Sequence, residues 1–345
     1  MQMARRFLIA SVCTFILLVG TAASAQETAL SAKLLPNDTE MIFTTNLQQI
    51  LKSEVLKDKK EIIGAAKAAV AGALEQKGVD KYLKTAGFDV FTDLTSLTVA
   101  VPGGRNPEES FIIVTGAFDA DKIETAVLEA SKEAGGGAKL TKLANVKVFE
   151  LSPKGEKSIF VGILDKKTMV VCATKNDFTD TVARFNGTKT SKMKAEFKAL
   201  LDTVNSKQSL SIVATTAVLG KLAENLPEGA ADKAKAGAAA LQQVEGLSFA
   251  ITIQKNVDFQ IGVNAKDAKT AADIAAKGNL GIGFLKATVA EKAKQDEKFA
   301  PAAEVVNTIR LTATGSNLLI RGQVSYETLG KILTNLPNLQ LPKNQ

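Results

Sequence analysis

The sequence contains no histidine and no tryptophan, and it has only two cysteines among 345 residues. Histidine is the side chain that most often acts as a general base near neutral pH, and it is the commonest metal ligand. Its absence excludes serine–histidine and cysteine–histidine catalysis, and it excludes zinc sites of the usual kinds. The sequence therefore does not reveal an activity, and it predicts no catalytic, cofactor-binding or metal-ligating residue.

Aromatic side chains are also scarce, at 5% of the chain, although the formal net charge is +7. The positive charges are interspersed with acidic residues, as in Lys57-Asp58-Lys59-Lys60, and this patterning is typical of a solvated helix face. A nucleic-acid-binding protein usually clusters its positive charge and interleaves aromatic residues for stacking. We therefore expect no nucleic-acid partner.

The beginning of the chain has the three parts of a secretory signal peptide. Arg5 and Arg6 precede an apolar run over residues 7–20, and Ala23-Ser24-Ala25 forms a small-residue cleavage site. A membrane anchor is the alternative, but the run is shorter than the roughly 20 residues that span a bilayer. We expect residues 1–25 to be removed, and we expect no membrane-spanning segment in the mature chain that begins at Gln26.

Cleavage would leave 41 basic and 36 acidic residues, a net charge of +5, and Cys172 as the one remaining cysteine. An intramolecular disulfide is then impossible, although export would place the chain in an oxidising compartment. Cys172 lies in the apolar run Met169-Val170-Val171-Cys172-Ala173, which favours a small buried hydrophobe over a reactive thiol.

The most informative feature is an internal similarity between the two halves of the chain. Four strand-like runs of the first half recur in the same order in the second, at separations of 171, 150, 148 and 149 residues for the first residue of each run. Three of the separations agree within two residues, which chance similarity among apolar strands would not readily produce in the same order. The separation of 171 indicates a longer helical insertion between the first two strands of the first half. The matched runs begin at Ile42 and Val213, Leu97 and Leu247, Phe111 and Phe259, and Met169 and Leu318.

Each half is expected to contain a strand, a helical segment, a hairpin, a helix and a second hairpin. The helical segments are expected over residues 48–86, broken near Gly78, and about 217–243. The later helices would open at Asp119 and Asp267, whose carboxylates can cap free amide groups. The hairpins are predicted over residues 94–101 with 110–117, 159–164 with 168–174, 246–253 with 257–263, and 306–313 with 317–324.

This order predicts an α+β fold made of two tandem repeats, each a mainly antiparallel sheet with helices packed on one face. The first repeat would cover residues 26–190 and the second residues 191–336, with a flexible tail over residues 337–345. The junction near residues 187–192 is short and polar. Whether the repeats form two packed sheets or one continuous sheet is left open.

Several short patterns resemble functional motifs, and each has a structural explanation. Gly135-Gly136-Gly137 and Gly278–Gly283 lack the lysine and hydroxyl of a phosphate-binding loop, and we expect both to end helices. Asp119, Asp121 and Glu124 are better explained by helix capping than by a bound cation. The Ser-x-x-Lys spacing of Ser191 and Lys194 lacks the companion motifs of penicillin-binding proteins. The alanine-rich residues 229–240 favour a surface helix over a membrane-surface helix.

Immediately before the first predicted strand, the chain reads Leu35-Pro36-Asn37-Asp38-Thr39. In this position, after a signal peptide, the segment resembles the start of a group of exported bacterial proteins of unknown function, whose mature chains often begin Leu-Pro-x-Asp-Thr or Leu-Pro-x-Asp-Ala. Those proteins have duplicated α+β units. The resemblance implies export and a bacterial source, and it implies no catalytic residues.

These observations lead to three hypotheses about function. The first is an exported, non-enzymatic scaffold or binding protein of the periplasm, the cell envelope or the extracellular space, with a protein or small-molecule partner at a cleft between the repeats. The second is a hydrolase that uses carboxylate and lysine chemistry at the same cleft, which a pair of acids with perturbed pKa values in a deep pocket would favour. The third is a carrier of an apolar ligand, held in a void among alanine-rich helices. No cofactor is expected.

Overall fold

The computed structural model describes residues 32–57, 59–76, 78–104, 109–133, 137–143, 146–152, 157–204, 207–224 and 242–335. The predicted signal peptide, the alanine-rich residues 229–240 and the tail over residues 337–345 lie outside these ranges. Within them, no helix is long and apolar enough to cross a membrane.

Twelve strands form the described sheet. They are β1 (Thr39–Asn46), β2 (Leu94–Pro102), β3 (Phe111–Gly116), β4 (Gly137–Leu143), β5 (Val146–Ser152), β6 (Ile159–Asp165), β7 (Thr168–Cys172), β8 (Leu210–Thr215), β9 (Val244–Ile253), β10 (Val257–Ala265), β11 (Arg310–Thr314) and β12 (Asn317–Val324).

The described part of the chain has eleven α-helices and a 3-10 turn at Glu297–Phe299. The helices are α1 (Leu47–Leu51), α2 (Glu54–Lys57), α3 (Lys60–Gln76), α4 (Asp80–Thr85), α5 (Ala120–Glu133), α6 (Lys175–Phe185), α7 (Ala195–Asp202), α8 (Thr216–Glu224), α9 (Ala268–Gln295), α10 (Ala300–Thr308) and α11 (Tyr326–Asn335).

All twelve strands belong to one antiparallel sheet, in the order β11-β12-β10-β9-β8-β1-β2-β3-β7-β6-β5-β4. The α+β class and the antiparallel sheet are therefore confirmed. β1 and β8 pair at the middle, where Ile42 lies opposite Val213. This pairing answers the question that the sequence left open, because it joins the strands of both halves into one continuous sheet.

Helices cover both faces of the sheet, so the prediction of helices on one face is wrong. Ile42 packs with Phe178 of α6 and Phe197 of α7 in one buried cluster. The next residue, Phe43, points to the opposite face, where it packs with Val99. On that opposite face lie α5, whose Ile123 and Ala126 pack beside Val114, and α9. Because successive residues of the central strands are both apolar, each face needs its own cover.

Three local predictions also require correction. The glycine-rich residues Gly278–Gly283 lie inside the 28-residue helix α9 and do not end a helix. The strand expected from Val306 begins at Arg310, because α10 continues through Thr308. Short apolar runs do not distinguish a helix end from a strand start. The β4–β5 hairpin was missed, since the exposed strand β4 lacks an alternating apolar pattern.

Other local predictions are confirmed. The first helical segment is interrupted at Gly78, which has a φ of +63° and lies between α3 and α4. This left-handed conformation favours glycine because it has no Cβ. Asp119 accepts hydrogen bonds from the backbone N–H groups of Asp121 and Lys122, both at 3.2 Å, and Asp267 accepts one from Thr270 at 2.7 Å. Both carboxylates therefore cap helices, as the sequence predicts.

Candidate functional site

One face of the sheet changes from apolar to polar on going from the first-half strands to the edge at β11. Near the centre this face contributes Ile42, Ala100 and Phe111 to the buried core. Following the same face through β8 and β9, the register leads to Gln260 of β10 and then to Arg321 of β12. Helix α7 covers this face as far as Thr203, and no other helix of the described ranges covers the polar rows beyond it.

A pocket of about 670 Å³ lies over these polar rows. The sheet forms its floor, and the end of α10 forms one wall. Nine of its twelve lining residues have side chains that can donate or accept hydrogen bonds. The lining consists of Gln208, Ala250, Thr252, Asp258, Phe259, Gln260, Asn307, Thr308, Arg310, Arg321, Gly322 and Gln323.

Two arginines on neighbouring strands give the pocket its positive charge. Arg310 and Arg321 are directly opposite each other in the antiparallel pair β11–β12. The Arg310 Nη1 donates to the backbone carbonyls of Asn307 at 2.6 Å and Ile309 at 2.9 Å, where it satisfies carbonyls at the end of α10. This contact gives Arg310 a structural role beside any role in binding.

The Arg321 side chain is held by a chain of hydrogen bonds across the floor. Its Nε donates to Gln260 Oε1 at 3.4 Å, and Gln260 Nε2 donates to the backbone carbonyl of Thr203 at 2.6 Å. One row along the strands, Gln323 Nε2 donates to Asp258 Oδ1 at 2.7 Å. The floor therefore has one carboxylate two residues along the strand from the arginine row.

Gln208 lines the pocket and has a buried side-chain acceptor. The residue is only 4% exposed, and its side-chain Oε1 has no hydrogen-bond partner among the described residues. A buried polar atom without a partner is costly, because it has lost its hydrogen bonds to water and gained none in return. Its position at this pocket makes it the unusual feature of the site.

The short motifs of the sequence are not brought together as reactive groups. Ser191 Oγ donates to the backbone carbonyl of Leu35 at 3.3 Å, whereas Lys194 Nζ pairs with Glu40 Oε1 at 2.6 Å. The hydrogen bond that Lys194 donates to Glu40 raises the pKa of Lys194, which is opposite to the change that a catalytic lysine base requires. Cys172 is 2% exposed, so the prediction of a buried hydrophobe is confirmed.

The acidic residues at the start of α5 have structural partners. Asp119 caps the helix, while Asp121 Oδ1 and Glu124 Oε2 accept hydrogen bonds from Lys147 Nζ at 3.0 and 2.9 Å. Backbone hydrogen bonding lowers the pKa of Asp119. Within the described ranges, no group of three or more acids or cysteines is arranged to hold a metal ion.

Carboxyl groups with perturbed pKa values were the feature expected of a hydrolase. Among the described acids, hydrogen bonds lower the pKa of several carboxyl groups. Examples are Asp80 beside Lys84, Glu133 beside Lys81 and Glu304 beside Thr328. A general acid needs a raised pKa. These residues therefore give the hydrolase hypothesis no support.

A second pocket, of about 490 Å³, is a groove with a more apolar lining between α3, α4 and the segment before β2. The alanine-rich helix α3 contributes Val70, Ala71 and Leu74, and the facing wall includes Leu83 and Phe88. Small side chains on α3 leave space beside the larger ones. The carrier hypothesis expected a void among alanine-rich helices, and this groove beside α3 is where such a ligand could be tested.

The comparisons with known proteins do not place the chain in a family. No protein-family model matches the sequence, and no curated protein matches it significantly. A search of solved structures finds similarity to one described as "Structure of crystal form I of TP0453", with a TM-score of 0.39 and 12% sequence identity over 88% of this chain and 96% of the other. Similarity at that level carries no argument about function.

Sequence reasoning missed the arginine pocket, although two signals were present. Six of the 43 basic residues are arginine, so arginine is used sparingly in a lysine-rich chain. Two of the six, Arg310 and Arg321, are nearly equidistant from the turn around Gly315. A hairpin at that turn places them opposite each other.

Proposed function

We propose that this chain is an exported, non-enzymatic binding protein of the periplasm or cell envelope, and that it binds a small polar molecule in the pocket beside Arg321. The observation that carries the proposal is the pocket over β10 and β12, on a sheet face that α6 and α7 bury near the centre of the sheet. Its volume lies within the range of small-molecule sites. The proposal locates the ligand within the second-half strands instead of a cleft between repeats.

The proposal includes tandem duplication of the α+β unit. The strands run outward from the centre as β1-β2-β3-β7-β6 on one side and β8-β9-β10-β12-β11 on the other. Ile42 and Val213, which the sequence match equates, are also direct partners across the central pair. A two-fold axis through that pair would relate the two series, with β4 and β5 as an addition to the first.

The proposal of export is based on the predicted signal peptide over residues 1–25. One experiment can test export and binding together. Native mass spectrometry of the protein purified under mild conditions from the periplasm or medium of its host would give both answers. We expect a mass corresponding to a chain that begins at Gln26, with a discrete added mass of a small molecule. An uncleaved chain would contradict export. Cleaved protein that remains bare after incubation with host metabolite extract would contradict the binding function.

The groove beside α3 supports a second candidate function, the carriage of an apolar ligand. Its test is displacement of a fluorescent fatty acid from the purified protein, with the filling variant Ala71→Phe compared with Ala217→Phe on the exposed surface of α8. The carrier function predicts that only Ala71→Phe abolishes binding. Equal binding by both variants would contradict it.

A further inference from the structure

We infer that the pocket over β10, β11 and β12 is an anion site, specific for a small molecule that carries a carboxylate or phosphate group together with a hydrogen-bond donor. The inference rests on the proposed function, because it names the chemical class of the ligand in that same pocket. Three features of the pocket support it: the pairing of the arginines, the orientation of their donors, and the orphaned acceptor of Gln208.

The pairing of Arg310 with Arg321 is unfavourable without an anion. Residues directly opposite in an antiparallel pair have Cβ atoms about 4.5–5.5 Å apart, and like charges in that position destabilise the sheet. Within the described ranges, neither guanidinium has an ion pair with a carboxylate. An anionic group placed between the two side chains would remove the repulsion, and this is the arrangement expected of a binding site.

Hydrogen bonds to the protein engage one donor of each arginine. The Arg310 Nη1 donates to the carbonyls of Asn307 and Ile309, and the Arg321 Nε makes a longer contact of 3.4 Å with Gln260 Oε1. These contacts leave the outer N–H groups of Arg321 for a ligand, since a guanidinium has five donors. Planar guanidinium groups match the paired oxygens of carboxylate and phosphate, which gives strong, directional hydrogen bonds.

Two other polar groups of the pocket are hydrogen-bond acceptors, and they would bind a hydrogen-bond donor on the ligand. Gln208 offers a buried Oε1 without a partner, and Asp258 offers a carboxylate that accepts one hydrogen bond from Gln323. Asp258 lies two residues along β10 from Gln260, which is opposite Arg321. Two residues of a strand span about 7 Å. The pocket therefore fits an anionic group at one end and a hydroxyl or ammonium group about 7 Å away at the other.

The test is isothermal titration calorimetry of the mature chain with five defined probes. Two carry phosphate, as inorganic phosphate and sn-glycerol 3-phosphate, and two carry carboxylate, as succinate and 4-aminobutyrate. Glycerol is the neutral control. We expect binding of sn-glycerol 3-phosphate or 4-aminobutyrate, and the responding probe identifies whether phosphate or carboxylate is the preferred anion. Glycerol should not bind.

Three variants locate the binding. Arg321→Gln should weaken binding of the responding probe by at least about tenfold, because it removes a charge-assisted pair. Arg321→Lys, which keeps the charge but loses the planar donors, should recover only part of the affinity. The control Lys139→Gln removes one positive charge from β4 at the opposite edge of the sheet, and it should change the Kd less than about twofold.

Gln208→Leu tests the requirement for a donor. It should weaken binding of the probe whose hydroxyl or ammonium group reaches the far end of the pocket, and it should leave inorganic phosphate, which is too small to reach that end, unaffected. Thermal unfolding of each variant without ligand confirms that it is folded. Unchanged affinity in Arg321→Gln would overturn the inference, as would a failure to bind of all four probes that carry a phosphate or carboxylate group. If the purified protein carries a neutral molecule in this pocket, the proposed function stands and the anion inference fails.

Discussion

The aromatic ring of Phe178 lies directly over Gly162, at the point where helix α6 crosses strand β6. A Cβ atom added to Gly162 would lie 2.1 Å from Cζ of the ring, and Phe178 is completely buried. Glycine is therefore required here by the close approach of the ring, since Gly162 does not have a positive φ. The contact brings α6 against the same core that α7 and β8 of the second half complete.

Substitution of Gly162 by alanine should destabilise the fold by about 1–3 kcal/mol, because the added methyl group forces a buried aromatic ring to move. The matched control is Gly281→Ala in the middle of α9, where a Cβ meets nothing within 4 Å. Alanine there should stabilise the protein by about 0.5–1 kcal/mol, through lower backbone entropy in the unfolded chain. Urea unfolding of both variants measures whether the free energy of unfolding falls for Gly162→Ala and rises for Gly281→Ala. A Gly162→Ala variant as stable as wild type would contradict the packing described.

The two halves of the chain should not fold when they are separated. Phe197, Leu200 and Val213 of the second half are each 0–1% exposed, and they are buried in one cluster with Ile42 and Phe111 of the first half. A cut between residues 187 and 192 would expose this cluster and the edges of β1 and β8. We expect neither purified fragment to unfold cooperatively alone, and we expect the mixture to regain cooperative unfolding.

Circular dichroism and thermal unfolding of the fragments, alone and mixed, provide the measurement. The intact chain carrying a protease site at the same position is the control, since it separates the effect of cutting from the effect of the inserted sequence. Two fragments that each melt cooperatively alone would show that the halves are independent domains.

The sequence predicted local elements better than their assembly. Period-two alternation and turn residues located the hairpins, and Asp119 and Asp267 located two helix starts. The sequence match equates Ala100 with Ala250, but the central strands pair Ile42 with Ala100 and Val213 with Ser248. Strand register depends on partners that are distant in the chain, so a match between apolar runs finds the strand without fixing its register.

Sequence reasoning could have paired Arg310 with Arg321, but it could not have assembled the rest of the candidate pocket, for a related reason. Gln208, Gln260 and Arg321 come from separate elements, and each is an ordinary surface residue type when considered alone. Their importance comes from the end of α7 near Thr203, since no described helix covers the sheet face beyond that point. Where a covering helix stops over a sheet is decided by tertiary packing between elements that are distant in the chain.

The stability contributed by the cap of α9 should depend on pH. A hydrogen bond from the backbone N–H of Thr270 lowers the pKa of Asp267. The charged form is therefore favoured in the folded protein, and its contribution is present above the unfolded pKa of about 3.9 and lost as the pH falls through the lower folded pKa. Asn is the matched control, because it can accept the same hydrogen bond but does not titrate.

We expect wild type to melt a few degrees above Asp267→Asn near neutral pH, because the charge also interacts favourably with the helix dipole. The difference should shrink as the pH falls below about 4. Asp267→Ala should melt at a lower temperature than the Asn variant at both neutral and acidic pH, since it loses the hydrogen bond itself. Differential scanning calorimetry of the three proteins between pH 3 and pH 7 gives the comparison. A constant difference between wild type and the Asn variant over that range would show that Asp267 is not stabilised in its charged form.

The outward face of α9 carries large apolar side chains that should contribute little to stability. Leu280 is 77% exposed and Phe284 is 74% exposed, whereas Leu318 of β12 is 1% exposed and packs beneath the same helix. Leu318→Ala should cost about 2–5 kcal/mol, because it leaves a cavity in the core. Leu280→Ala should change the free energy of unfolding by less than about 0.5 kcal/mol.

Urea unfolding of the two leucine variants at a low and a high protein concentration tests this pair. A loss for Leu280→Ala comparable to that for Leu318→Ala would show that the outward face is buried in the protein as it exists in solution. If that loss grew with protein concentration, the covering surface would be a second copy of the chain, because association stabilises a protein by mass action. For an exposed face, we expect Leu280→Ala to lose almost no stability, and we expect that small loss to be the same at both protein concentrations.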